Sequence, residues 1–192
     1  MLMNGRRKRG TAVAEAEKKS EFWGGVKAIA IALILAFVVR TFVMTSFEVR
    51  GVSMVPTAHD GERFIVNKLS YQFGEPERFD LIVFHATEED SYIKRVIGLP
   101  GDTIRFEDDI LYINGEQVEE PYLEEAKAAY SGPAYTEDYS FEETVPENHV
   151  FVMGDNRPAS LDSRVIGPVN EDEIIGKVGL RFWPVSEFGF MD

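Results

Sequence analysis

Residues 92–102, YIKRVIGLPGD, alternate side chains with a period of two and then stop at Pro100-Gly101. That period belongs to a strand, and Pro-Gly supplies the geometry of a type II turn. Tyr92, Lys94 and Val96 share one face, and Ile93, Arg95 and Ile97 share the other. Similar short β-rich pieces occur at 63–68, 80–85, 91–98, 110–113, 150–153 and 175–182. Turn residues separate them, among them Gly154-Asp155-Asn156 and Asn114-Gly115, the latter reading as a tight hairpin. The spacing predicts a mainly β body.

Upstream the pattern is different. Residues 22–44 are mostly apolar, broken only by Lys27 and Arg40, with an uninterrupted core at 28–39, AIAIALILAFVV. That core alone is short for a bilayer, which needs about 20 residues. The full stretch suffices if Lys27 and Arg40 snorkel to the two interfaces and Trp23 anchors one end. Arg6, Arg7, Lys8, Arg9, Lys18 and Lys19 precede it, so the positive-inside rule puts residues 1–21 in the cytoplasm as a basic leader and the body outside. A cleavable signal peptide would call for an A-x-A site after the apolar run, and none follows. The expectation is a single uncleaved transmembrane anchor at 22–44 in the plasma membrane.

Charge divides at the same place. Residues 1–45 carry eight Lys/Arg against three Asp/Glu, whereas residues 46–192 carry twelve against thirty. So acidic a body would repel phosphates, which argues against nucleic acid as a partner, while the basic head suits an anionic leaflet. The absence of cysteine excludes disulfides and thiolate metal sites. His59, His85 and His149 stand singly without ligand spacing, so no metal and no cofactor are expected. Residues 107–145 are strongly acidic, with a loop-like stretch from 127 to 139. They read as a solvated subdomain inserted between two parts of the β domain, 45–106 and 146–192.

Three stretches carry candidate chemistry. Lys94 is either a solvated lysine on an edge strand or a desolvated amine. Lowering a lysine pKa by ~3 units costs roughly 4 kcal/mol, and a neutral amine can act as a general base. Ser53, in RGVSMVPT (50–57), is either a turn serine or a nucleophile in need of a base. No histidine has a recognisable partner here, so lysine is the candidate base, in a Ser-Lys variant of the triad logic. In the third stretch, 154–164, an extended chain would put Ser160, Asp162 and Arg164 on one face. There Ser160 would orient a lysine amine and Asp162 would pair with Arg164; the other reading is an ordinary turn with surface ions.

In order behind an N-terminal span come GVSMVPT, RFDLIVF, YIKRVIGLPGD and VPENHVFVMGDNRPASLDSRVIGPV. This ordered set resembles bacterial type I signal peptidase, in the short single-span form. The resemblance covers essentially the whole chain beyond the leader. It implies a mainly antiparallel β catalytic domain with a smaller inserted domain. It also implies Ser53 as nucleophile, Lys94 as general base, Ser160 as the residue positioning the lysine, and the pairs Asp162–Arg164 and Asp155–Arg95 as supports. Some members have a serine two places before the nucleophile that helps form the oxyanion hole. Gly51 stands there, which leaves the backbone N–H of Ser53 as donor.

The expected substrates are secretory preproteins cut after an A-x-A-like site, and the lipid bilayer is the second partner. Phe47, Val49, Met54, Tyr92 and Ile93 are the candidate substrate-binding residues, and a monomer is expected. A non-catalytic binding module on the same fold would have lost Ser53 or Lys94, and both are present.

Overall fold

The structure is a computed structural model that describes residues 23–191. The expected basic leader, residues 1–21, lies outside the described residues. The described residues divide into two compact units, 23–43 and 44–191.

In the first unit, helix α1 (Trp23–Val43) is 21 residues long and apolar enough to cross a membrane by length and composition. At 1.5 Å per residue it spans about 32 Å, close to the thickness of a hydrocarbon core. Its last five residues, Val39–Val43, widen into a π-helical turn that carries Arg40.

The second unit holds two antiparallel sheets. The larger has the order β1 (Met44–Glu48), β2 (Arg63–Asn67), β11 (Ile174–Trp183), β3 (Leu81–His85), β4 (Ser91–Gly98), β9 (His149–Met153) and β10 (Val169–Asn170), with β12 (Gly189–Phe190) paired to β11. The smaller has the order β7 (Glu116–Val118), β6 (Ile110–Ile113), β5 (Ile104–Glu107) and β8 (Tyr139–Ser140). The mainly antiparallel β architecture read from the sequence is therefore present.

Period-two alternation places the core. Along β3, Leu81 and Val83 join one apolar cluster with Val49, Met54, Phe64 and Ile93, while Ile82 and Phe84 join another with Val96, Val150 and Val152. All four are buried, as expected of a strand covered on both faces. A third cluster, including Ile97, Ile104, Phe106, Leu111, Phe151 and Met153, joins the two sheets.

Some elements differ from the sequence reading. Strand β1 begins at Met44, inside the stretch expected to be apolar helix, because Met44 to Glu48 pair in register with Asn67 to Arg63. Strand β5 was not apparent, since its hairpin to β6 turns through Asp108 and Asp109 at φ 51° and 64° rather than through a glycine. Aspartate tolerates this left-handed conformation, here held by Asp109 accepting from the backbone of Thr136 and by Asp138 accepting from that of Asp108. The loop-like stretch from 127 starts within a short helix, α2 (Glu124–Ala129). The Asn114-Gly115 hairpin is present between β6 and β7, both residues at positive φ.

Candidate active site

Ser53 lies in the loop between β1 and β2. Met54 and Ala58 are fully buried in the core and pin this loop from beneath, while Ser53 stays half-buried at its surface. Gly51 bends the chain at φ +90°, and its N–H donates to Asp60 Oδ1 at 2.7 Å. An L side chain at that φ is strained, so glycine suits this position better than serine. The Ser53 N–H donates to no protein acceptor among the described residues.

Lys94 comes from β4, which is paired on one side with β3 and on the other with β9. It sits on an interior strand rather than an edge, and it is only 3% exposed. Its Nζ lies 2.6 Å from Ser53 Oγ. Burial pushes the ammonium down from its ordinary value to about 8, against the opposing charges of Asp162 and Asp155. A lysine in this state is deprotonated in about a tenth of molecules at pH 7, far more than an ordinary lysine. The short contact then lets the serine hydroxyl donate to the amine.

The segment after β9 forms the adjoining wall. Asp155 accepts from Arg95 Nε at 2.9 Å and from Arg95 Nη2 at 2.7 Å, and also takes a hydrogen bond from the Thr57 hydroxyl. Arg95 further donates to Phe79 O and stacks its guanidinium 3.9 Å from the Tyr122 ring centroid. Asp162, fully buried, caps the short helix α3 (Ser163–Ile166) and receives Arg164 Nε and Nη2, each at 2.9 Å. Burial would raise its pKa, but Arg164, Ser160 and the Gly154 N–H outweigh that and hold the carboxyl below its usual range. Ser160 Oγ is buried and near enough to Asp162 to contribute to this, yet among the described residues it forms no hydrogen bond of regular geometry, to Lys94 or to any other group.

A cleft of about 510 Å³ opens over the pair. Ser53, Lys94, Phe47, Tyr92 and Ile93 line it, together with Gly51, Ala159 and Leu161. Val49 and Met54 do not: they are 2% and 0% exposed within the core below. Alternation along an extended chain would have turned Val49 to the cleft with Phe47 and Ser53, but β1 ends at Glu48 and the chain turns at Gly51.

Three further residues shape the site and were not singled out as such. Asn156 donates its N–H to Ser53 O and its side-chain amide to Val52 O, both at 3.0 Å, and so ties the serine loop to the β9 segment. Gly154 packs so closely that an added Cβ would collide with Ser160 Oγ and Ser53 O. Thr57 bridges the serine loop to Asp155. The sequence marked Gly154 and Asn156 only as turn formers, because their long-range contacts leave no local signature.

The family profile described as signal peptidase, peptidase S26, matches residues 23–183. A signal peptidase I from Bacillus caldolyticus is 45% identical over 179 residues, covering 91% of this chain and 96% of its own length. A signal peptidase IB from Staphylococcus aureus is 40% identical over 181 residues, covering 90% and 95%. The crystal structure of a signal peptidase I from Enterococcus faecalis superposes with a TM-score of 0.51 at 44% identity, covering 54% of this chain and 96% of that one. A profile that takes in both units, and likeness sustained along nearly the full length of two bacterial enzymes, lead to one conclusion: the chain belongs to the signal peptidase family, peptidase S26.

Proposed function

We propose that this chain is a membrane-anchored serine endopeptidase that removes N-terminal signal peptides from secreted preproteins, cutting after an A-x-A-like site. Membership of the family supports signal-peptide removal as the reaction. The observation that carries the mechanism is the 2.6 Å contact between Lys94 Nζ and Ser53 Oγ, with the lysine buried in a central strand beneath an open cleft.

Neutral Lys94 takes the proton from Ser53 Oγ as that oxygen attacks the scissile carbonyl. The negative charge on the carbonyl oxygen is met by the Ser53 N–H. When the C–N bond breaks, the Lys94 ammonium returns its proton to the leaving amine, and an acyl-enzyme remains. Lys94, neutral again, draws a proton from water as the water oxygen attacks the ester; the C–Oγ bond breaks, the ammonium returns that proton to Ser53 Oγ, and the signal peptide leaves. Asp155–Arg95 and Asp162–Arg164 brace the loop that faces Ser53, and Ser160 lies beside Asp162 in the same wall. Phe47, Tyr92 and Ile93 give the cleft apolar walls that fit small side chains preceding the cut.

Helix α1 tethers the enzyme to the bilayer that also holds the signal peptide. Sharing one membrane raises their effective concentration. In this reading the leader is cytoplasmic, the β unit extracytoplasmic, and a monomer suffices.

The test is cleavage of a precursor carrying an A-x-A site by the full-length protein in detergent or liposomes, with products identified by mass spectrometry. One cut after the final small residue is expected, lost in both Ser53→Ala and Lys94→Ala. Cleavage at the wild-type rate in either variant would overturn the dyad.

A further inference from the structure

We propose that the acidic segment 107–145 clamps the Ser53–Lys94 dyad in register through the buried Glu120–Arg157 ion pair, with Glu120 and Arg157 as positioning residues. The inference rests on the dyad reading above.

Arg157 is the largest of the fully buried side chains. Its Nη2 meets Glu120 Oε1 at 2.5 Å and the Tyr122 hydroxyl at 3.2 Å, and its Nη1 donates to Thr136 Oγ1 at 3.4 Å. All three partners belong to the acidic segment. The remaining guanidinium donor, Nε, turns back to Gly154 O at 3.0 Å. Next to it, the Tyr135 hydroxyl, also from the acidic segment, donates to Asp155 O at 2.8 Å. Arg164 Nη2 donates to Arg157 O at 2.8 Å. The carbonyls of Gly154, Asp155 and Arg157 are thus each held by a side chain: that of Arg157 itself, anchored in the acidic segment, then Tyr135, then Arg164.

The other side of the same turn reaches both members of the dyad. Asn156 N–H holds Ser53 O, and the Asp155 carboxylate holds Arg95, the strand neighbour of Lys94. A displacement of the turn would therefore shift the serine loop against the lysine strand. Neither Glu120 nor Arg157 lines the cleft, so their influence runs through the turn.

Chemistry favours position over adhesion as the role. A buried ion pair contributes little net stability, and apolar residues of similar volume often serve as well. A guanidinium fork, however, fixes four directions at once, which apolar packing does not. Because reacting atoms misplaced by an ångström can cost about a hundredfold in rate, such a fork has a use beside a dyad.

The test measures kcat and KM for the full-length protein in detergent on an A-x-A precursor, with thermal unfolding of each variant alongside. Wild-type cleavage that disappears in Ser53→Ala secures the dyad reading; without it, that reading fails and this inference with it. Given that control, Glu120→Gln is expected to lower kcat by about ten- to a hundredfold with KM within about twofold. The double variant Glu120→Leu/Arg157→Met is expected to unfold near the wild-type temperature yet keep the low kcat, since the hydrogen bond to Gly154 O is gone. Wild-type kcat in the double variant would overturn the proposal and reduce the pair to a structural one. If Glu120→Gln does not fold, Tyr135→Phe, which deletes one hydroxyl, should still lower kcat severalfold at constant KM; an unchanged kcat there overturns it as well.

Discussion

Arg95 and Asp155 face each other as a two-pronged ion pair, Nε to Oδ1 at 2.9 Å and Nη2 to Oδ2 at 2.7 Å, with side chains 4% and 0% exposed. Each charge is compensated only while the other is present. Asp155→Asn or Arg95→Met leaves one buried charge alone, at a cost of about 3–5 kcal/mol. Urea unfolding should show that loss in each single variant. A variant of either kind as stable as the wild type would mean that water reaches the pair.

Cleavage should depend on pH through Lys94. Its amine is held at about 8 by burial, so the free-base fraction rises with pH up to that point and then saturates. The profile of kcat/KM is expected to climb about tenfold per pH unit on the acid side of that value and to level off beyond it. A flat profile across the neutral range would remove Lys94 as the base.

The same residue links stability to pH with a definite sign. In the unfolded chain Lys94 titrates near 10.5, in the folded protein near 8. Between these values the unfolded state binds more protons, so stability rises with pH, and the whole penalty is present below about 8. Lys94→Met removes the penalty, about 3 kcal/mol by the shift, less roughly 1 kcal/mol for the lost hydrogen bond to Ser53. At neutral pH the variant should be inactive but about 2 kcal/mol more stable, an advantage that fades toward pH 10.5. Calorimetry at several pH values would settle it, and a destabilised Lys94→Met at neutral pH would contradict the burial penalty.

Gly154→Ala should act on rate and stability together. The added methyl meets the Ser160 side chain, Cβ as well as Oγ, and the Ser53 carbonyl, which the Asn156 N–H holds in place. Overpacking of this kind costs about 1–3 kcal/mol, and here it presses directly on the serine loop. The expected result is a lower unfolding temperature with a loss of kcat larger than the folded fraction explains. Retention of wild-type kcat would show that the loop yields without disturbing Ser53.

Much of this protein was determined by the sequence alone, wherever the physics is local. Alternation along 91–98, the Asn114-Gly115 turn and the apolar run ahead of the acidic body each express a short-range rule, and each has its counterpart in the fold. The ordered motifs carried the family. Residue chemistry by itself left Lys94 between two readings, solvated or desolvated, and the deciding fact was β9 pairing on the far side of β4, which places the lysine on an interior strand. Tertiary structure likewise decided that Ser53 and Lys94, 41 positions apart, meet at 2.6 Å, that Val49 and Met54 enter the core while Phe47 and Tyr92 face the cleft and Ile93 lies between the two, and that Glu120 finds Arg157. The reason is physical: strand pairing and burial depend on which distant segment covers a residue, and no local pattern encodes the partner.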